Sequence, residues 1–342
     1  MMTRENDSYS SSTSPSKEAI LGRLSYGKLV FLCVIALALS VVGPLSIFAP
    51  LPLAVAFLLY GIAKTLTVSG VLIAATFVAS MSSPGLSQLS HYGVMLVMSV
   101  ILSFAISSII LKGEHPVKGL ITRGLYILGA IAVLIGFAEI ISSEPLTVQI
   151  ETLLSTGITQ MKEQPNFQEV IKAGGEQARA LEELLSNPKE ILKTVYSWAF
   201  AGIFVGIYFV LWMTLFMLLR NSAIWKEVHE YKYGLKDLVR FKAPDFMIYF
   251  VVIGFGLFIG GEYLGGKSLE VVGGNILWCL GVFYFFQGMG IYLDLLKFLK
   301  IKGILRSILT IMTIFMAYRF VAIIGLFDLW VNFRKYLKRK EN

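Results

Sequence analysis

The segment SILTIMTIFMAYRFVAIIGLFDLW, Ser307–Trp330, decides how the chain is read. At about 1.5 Å per residue it extends roughly 35 Å, enough to cross a bilayer as one helix. Arg319 stands near its middle, roughly 16–18 Å from either end by the same rise. A guanidinium at that depth needs a polar partner, a wet cavity or a break in the helix.

Working outward, the same apolar character recurs along the chain. Of 342 residues, 56% are hydrophobic and 15% charged, with mean hydropathy +0.72. A soluble domain carries about a quarter charged residues, so the excess marks a membrane protein. The fold expected is an all-α polytopic membrane helix bundle of about 8–10 transmembrane helices with an extramembrane helical insertion. The net charge of +8 falls mainly between apolar runs, as topology signals do, and gives no nucleic-acid face.

Residues 1–25 are polar and Ser-rich and read as a disordered tail. Residues 26–142 hold about five apolar runs, the first two separated by Pro44, Pro50 and Pro52. The first is read as a retained span, because Gly43-Pro44 follows it instead of a small-residue cleavage site. Ser82-Ser83-Pro84-Gly85 closes the third run as a turn. Residues 143–195 carry eight Glu against five Lys or Arg, with apolar residues at helical spacing from Leu146 to Leu185. They read as two amphipathic helices outside the core. Asn187-Pro188-Lys189-Glu190 then looks like a helix start capped by Asn187. Residues 196–333 hold about four spans, and 334–342 form a basic tail.

With the N-terminus inside, the basic loops at 112–123, 220–243 and 297–306 also lie inside and the acidic insertion outside. Nine crossings would, however, put the basic tail outside. Either the rule fails there, or a break near Arg319 turns the chain back. The 220–243 loop also has an apolar side, from Trp225 to Val239. It reads either as a basic helix on the membrane surface or as a loop that sets topology.

The motifs are few. Gly261 to Ser268 fits GxxxxGK[ST], but apolar spans flank it where a P-loop needs a strand before and a helix after. Gly202-xxx-Gly206 and Gly256-xxx-Gly260 fit the close-packing pattern of membrane helices, read as packing within the chain or as dimerisation. Cys33 and Cys279 stand alone, and His91, His115 and His229 do not cluster, so no cofactor or metal site is expected. No catalytic constellation appears, and no enzyme is expected.

Polar residues in or near the spans are functional candidates, because hydrocarbon makes them costly. Glu139, Glu262 and Asp294 lie near span ends, where facing water is the plainer reading. Tyr284, Gln287, Arg319 and Asp328 remain, with Glu262, as candidate binding residues. Gln287 and Arg319 are the sharper pair, read as a polar solute pocket between the last two spans or as a structural hydrogen bond.

Phe241-Lys-Ala-Pro244, Tyr284-Phe-Phe-Gln287-Gly288 and Gly325-Leu-Phe-Asp328-Leu-Trp-Val-Asn-Phe-Arg334 resemble the YybS-like bacterial membrane proteins, a family of unknown function. That family is distantly similar to the substrate-binding subunits of energy-coupling-factor transporters and to the rod-shape protein MreD. The resemblance makes Gln287, Asp328 and Arg334 motif positions and implies a multi-pass protein of the bacterial inner membrane, while the loop charges put the N-terminus on the cytoplasmic side. Two functions follow as expectations. One is a solute-binding or transport-related role, as a binding subunit served by an energising partner. The other is a scaffold docking cell-envelope or division proteins. The bilayer, a small solute and a membrane or envelope protein are the expected partners, and nucleic acid is not.

Overall fold

The computed structural model describes residues 24–337 except 83–87, 177, 180, 182–184, 186–187 and 265. The Ser83-Pro84-Gly85 turn, the Asn187 cap, Gly265, the end of the basic tail and nearly all of the N-terminal tail lie outside the described residues. The described chain is all-α, with no strand. The helices are α1 (Tyr26–Val41), α2 (Pro50–Tyr60), α3 (Ile62–Ser82), α4 (Gln88–Leu111), α5 (Pro116–Ile141), α6 (Leu146–Glu163), α7 (Pro165–Ala173) and α8 (Pro188–Arg220). They continue as α9 (Ser222–His229), α10 (Leu235–Val239), α11 (Met247–Leu264), α12 (Lys267–Phe298), α13 (Gly303–Met316), α14 (Tyr318–Val331) and α15 (Phe333–Leu337).

Among the described residues six stretches are long and apolar enough to cross a membrane: 43–60, α3, α4, α5, α8 and α12. Two further apolar helices, α1 and residues Met247–Gly261 of α11, are shorter. The opening segment is not one helix. It divides at Ala317 into α13 and α14, bent by 92°, so Arg319 falls in the first turn after the break. Within the segment 143–195, where two amphipathic helices are expected, α6 and α7 cover 146–173, and Glu139 Oε2 accepts the Leu146 N–H at 3.0 Å where α6 begins.

The chain forms two compact units that interleave along the sequence: residues 1–120 with 210–238, and 121–209 with 239–342. In the first, α4 packs on α2 through a ladder of serines four residues apart. Ser103 Oγ donates to the Pro50 carbonyl at 2.8 Å and Ser107 Oγ to the Ala54 carbonyl at 3.2 Å. Both hydroxyls are fully buried, as interhelical bonds in a greasy core must be. The segment after α8 packs against this unit. His229 Nε2 donates to the Leu58 carbonyl at 2.8 Å, and the Tyr231 hydroxyl donates to the Glu114 carbonyl at 2.9 Å. Trp225, Val228, Tyr231 and Leu238 are buried, so the apolar side of the 220–243 loop faces the protein and is not free for a membrane surface.

In the second unit α11 and α12 form a close hairpin. A Cβ at Gly273 would lie 2.5 Å from the Phe258 nitrogen and 2.6 Å from the Gly254 carbonyl oxygen. A helix, not a strand, precedes the GxxxxGK[ST] sequence, and the P-loop reading is dropped. Three of the GxxxG glycines do not make the close contacts: a Cβ at Gly202, Gly206 or Gly256 would meet open space. The glycines that do, such as Gly273, Gly274, Gly288 and Gly290, lie outside that pattern, because closeness depends on which face meets a neighbour and not on spacing alone.

Candidate functional site

The three motif segments, far apart in sequence, meet at one buried node of the second unit. Its centre is Gln287 on α12, which is 0% exposed. The Ala243 N–H donates to Gln287 Oε1 at 2.8 Å, and Gln287 Nε2 donates to Asp328 Oδ2 at 3.0 Å. The other Asp328 oxygen accepts the Phe333 N–H at 2.7 Å. That last bond exists because Asn332 adopts a left-handed conformation (φ 50°), which ends α14 and turns the chain back.

Arg334 closes the node. Its Nη2 donates to the Val239 carbonyl at 2.9 Å and approaches the carbonyls of Phe241 and Gln287 at 3.5 Å. Its Nε lies 3.8 Å from Asp294 Oδ2. Glycine makes the approach possible. A Cβ at Gly288 would overlap the Val321 carbonyl, at Gly325 the Tyr284 carbonyl, and at Gly290 both the Val239 carbonyl and the Arg334 guanidinium.

These contacts also locate the chain end. Val321 lies against Gly288 and Gly325 against Tyr284, so α14 runs antiparallel to α12. Arg334 then returns to Asp294, near the end of α12 from which α13 departs. The break expected near Arg319 is thus present at Ala317, and a pair bent in this way is either a broken span or a re-entrant loop.

The candidate residues separate accordingly. Gln287 and Asp328 are bonded to each other inside a packed seam. Tyr284 is buried nearby, and its hydroxyl has no partner among the described residues. Arg319 is exposed and shares no bond with Gln287; its Nε donates to the Tyr318 hydroxyl at 3.1 Å and its guanidinium lies 5.6 Å from that ring centre. Glu262 lies in α11, and its side chain is outside the described residues.

One residue escaped sequence reasoning. Asn275 on α12 accepts the Ala201 N–H at 3.0 Å through Oδ1 and donates to the Ser197 carbonyl at 2.7 Å through Nδ2. Ser197 and Ala201 are one turn apart in the continuous helix α8, so Asn275 clamps a single turn of it. The signal available was a lone amide amid VVGGNILWC. Asn275 borders a cavity of about 420 Å³ together with Ser197, Phe200, Phe250, Ile276 and Cys279. Its lining is almost wholly apolar, and Phe200 and Phe250 also face outward. Among the described residues no group of three His, Cys, Asp or Glu side chains could hold a metal.

A family model described as "Predicted membrane protein (DUF2232)" matches residues 29–329. No curated protein and no solved structure matches the chain.

Proposed function

We infer, from the premise that this chain belongs to the DUF2232 family of predicted membrane proteins, that it is a multi-spanning binding protein whose ligand is an apolar or amphipathic molecule held in the bilayer. The observation that carries this reading is the cavity beside Asn275. Its volume of about 420 Å³ falls within the usual range of ligand pockets, roughly 300–1,000 Å³. Its walls are apolar, and the few polar groups there, Ser197, Asn275 and Cys279, suit a single polar end on a greasy molecule. A polar solute at Gln287 is less well supported, because that amide's oxygen and nitrogen already bond within the protein.

Under this reading the protein is not an enzyme. It sits in a bacterial inner membrane with the N-terminus inside, as the basic loops suggest. The YybS-like resemblance, and through it the energy-coupling-factor analogy, favours a binding subunit that passes its ligand to a separate energising partner.

Cys279 provides the test. In a Cys33→Ala background, an apolar maleimide should label Cys279, and extracted membrane lipids should slow that labelling. Val272→Trp with Ile276→Trp, which fill the cavity, should abolish co-purification of the molecule that protects Cys279, while the protein stays monodisperse. Retention of the same molecules by the filled variant would end this reading.

A scaffold reading has its own observation. α6 and α7 expose Val148, Ile150, Leu153 and Val170. Crosslinking with and without residues 146–186 separates the two, since a scaffold loses its partner while the cavity keeps its ligand.

A further inference from the structure

Lys297 lies in the last turn of α12, where it complements that helix's dipole, but the cations that follow have no evident structural employment. Lys297, Lys300 and Lys302 are exposed and Arg306 is half-buried, and none forms an ion pair among the described residues. The first turn of α13 holds no acid. Positive charge at the start of a helix opposes the macrodipole, so helix stability does not account for Lys302 and Arg306.

The helix they introduce is two-sided in an unusual sense. Thr310 and Ile314 are buried against the protein, and the Tyr292 hydroxyl donates to the Leu309 carbonyl at 3.3 Å. The opposite side exposes Ile304, Leu305, Ile308, Met312, Phe315 and Met316. α14 packs along α12, and α13 meets α14 at 92°. With α12 crossing the bilayer, α13 lies across its direction, close to the membrane plane. Arg319 stands at its far end, about 21 Å from its start by helical rise. Cations thus bracket an outward-facing apolar stripe.

We propose that α13 is an in-plane membrane helix that binds anionic phospholipid, its apolar stripe among the acyl chains and Lys297, Lys300, Lys302, Arg306 and Arg319 at the phosphate level. Charge complementarity carries the choice of occupant. Among the described residues the surface offers five cations, and the nearby acid Asp294 lies 3.8 Å from Arg334. A second copy docked by the same face would oppose like charges. Each Lys or Arg near an anionic surface contributes about 1 kcal/mol, so a few suffice for selectivity. This proposal is independent of the cavity beside Asn275.

Native mass spectrometry of the full-length protein, equilibrated in micelles holding equal phosphatidylglycerol and phosphatidylcholine, tests it. The protein should retain phosphatidylglycerol preferentially, and added salt should weaken the preference. K300Q/K302Q/R306Q should reduce the preference by up to about a hundred-fold. K232Q/K236Q, in the basic loop elsewhere, should leave it unchanged. Equal retention of the two lipids by the unaltered protein overturns the proposal, and so does a triple variant as selective as the parent. Should the triple variant fold poorly, a nitroxide at Met312→Cys decides. It should be reached by oxygen and shielded from an aqueous nickel chelate; shielding from both would mean that a protein covers the stripe.

Discussion

Replacing Gln287 by leucine removes two hydrogen bonds at once and leaves the Ala243 N–H and an Asp328 oxygen buried without their partner. The expected cost is about 2–6 kcal/mol, from roughly 1–3 kcal/mol for each of the two buried groups left unmade. Thermal unfolding in detergent should show it. Asn275→Leu loses comparable bonds beside the cavity, but interhelical bonds in membranes average under about 1 kcal/mol, and the expected loss is about that. Gly288→Val should be worse than either bond deletion. Its side chain would enter the Val321 carbonyl, where backbone and not a flexible side chain must yield, and the overpacking cost exceeds the usual range of about 1–3 kcal/mol. At this scale the sequence identified Gln287 and Asp328 as expensive residues needing company. It did not pair them, because their separation of 41 residues says nothing of which faces meet. It paired Gln287 with Arg319 instead, since both lie deep in apolar runs on a linear reading. The 92° bend takes Arg319 out of that frame.

At the scale of the element, the segment after α8 shows how an apolar side can be read and its destination missed. Trp225, Val228 and Leu238 were visible as one side of a basic loop, yet they pack onto the protein around Tyr231. Burial raises the Tyr231 phenol above its ordinary range, with the charges of Tyr233, Asp237 and Glu114 adding to the shift. Folding therefore favours the neutral phenol. The unfolded phenol ionises near pH 10 while the folded one stays protonated, so this contribution is intact below about pH 10 and lost as pH rises above it. Tyr231→Phe should be less stable at neutral pH by about 1 kcal/mol, the worth of its bond to Glu114. Its loss of stability between pH 9 and 12 should be shallower than that of the parent. Denaturation midpoints across that range check both statements.

For the whole molecule, the decisive consequence is parity. If α13 and α14 enter and leave from one end, the crossings are α1, the 43–60 stretch, α3, α4, α5, α8, α11 and α12, and both termini share a side. A C-terminal tag and a label in the 220–243 loop should then be protected or cleaved together in oriented vesicles, and a label in 143–176 should behave oppositely. A tag on the side of the acidic insertion would refute the re-entrant hairpin. The chain by itself determined that this is an α-helical membrane protein, roughly where its helices run and which loops are basic. Those properties follow from local hydropathy and charge, which each segment carries whatever its neighbours do. Only the tertiary structure decided that the last apolar run is broken, that Gln287, Asp328 and Arg334 form one packed node, and that the open space lies beside Asn275. Those outcomes depend on which helix faces meet, and facing is settled by glycine-width contacts and by buried polar groups competing for partners across the whole fold.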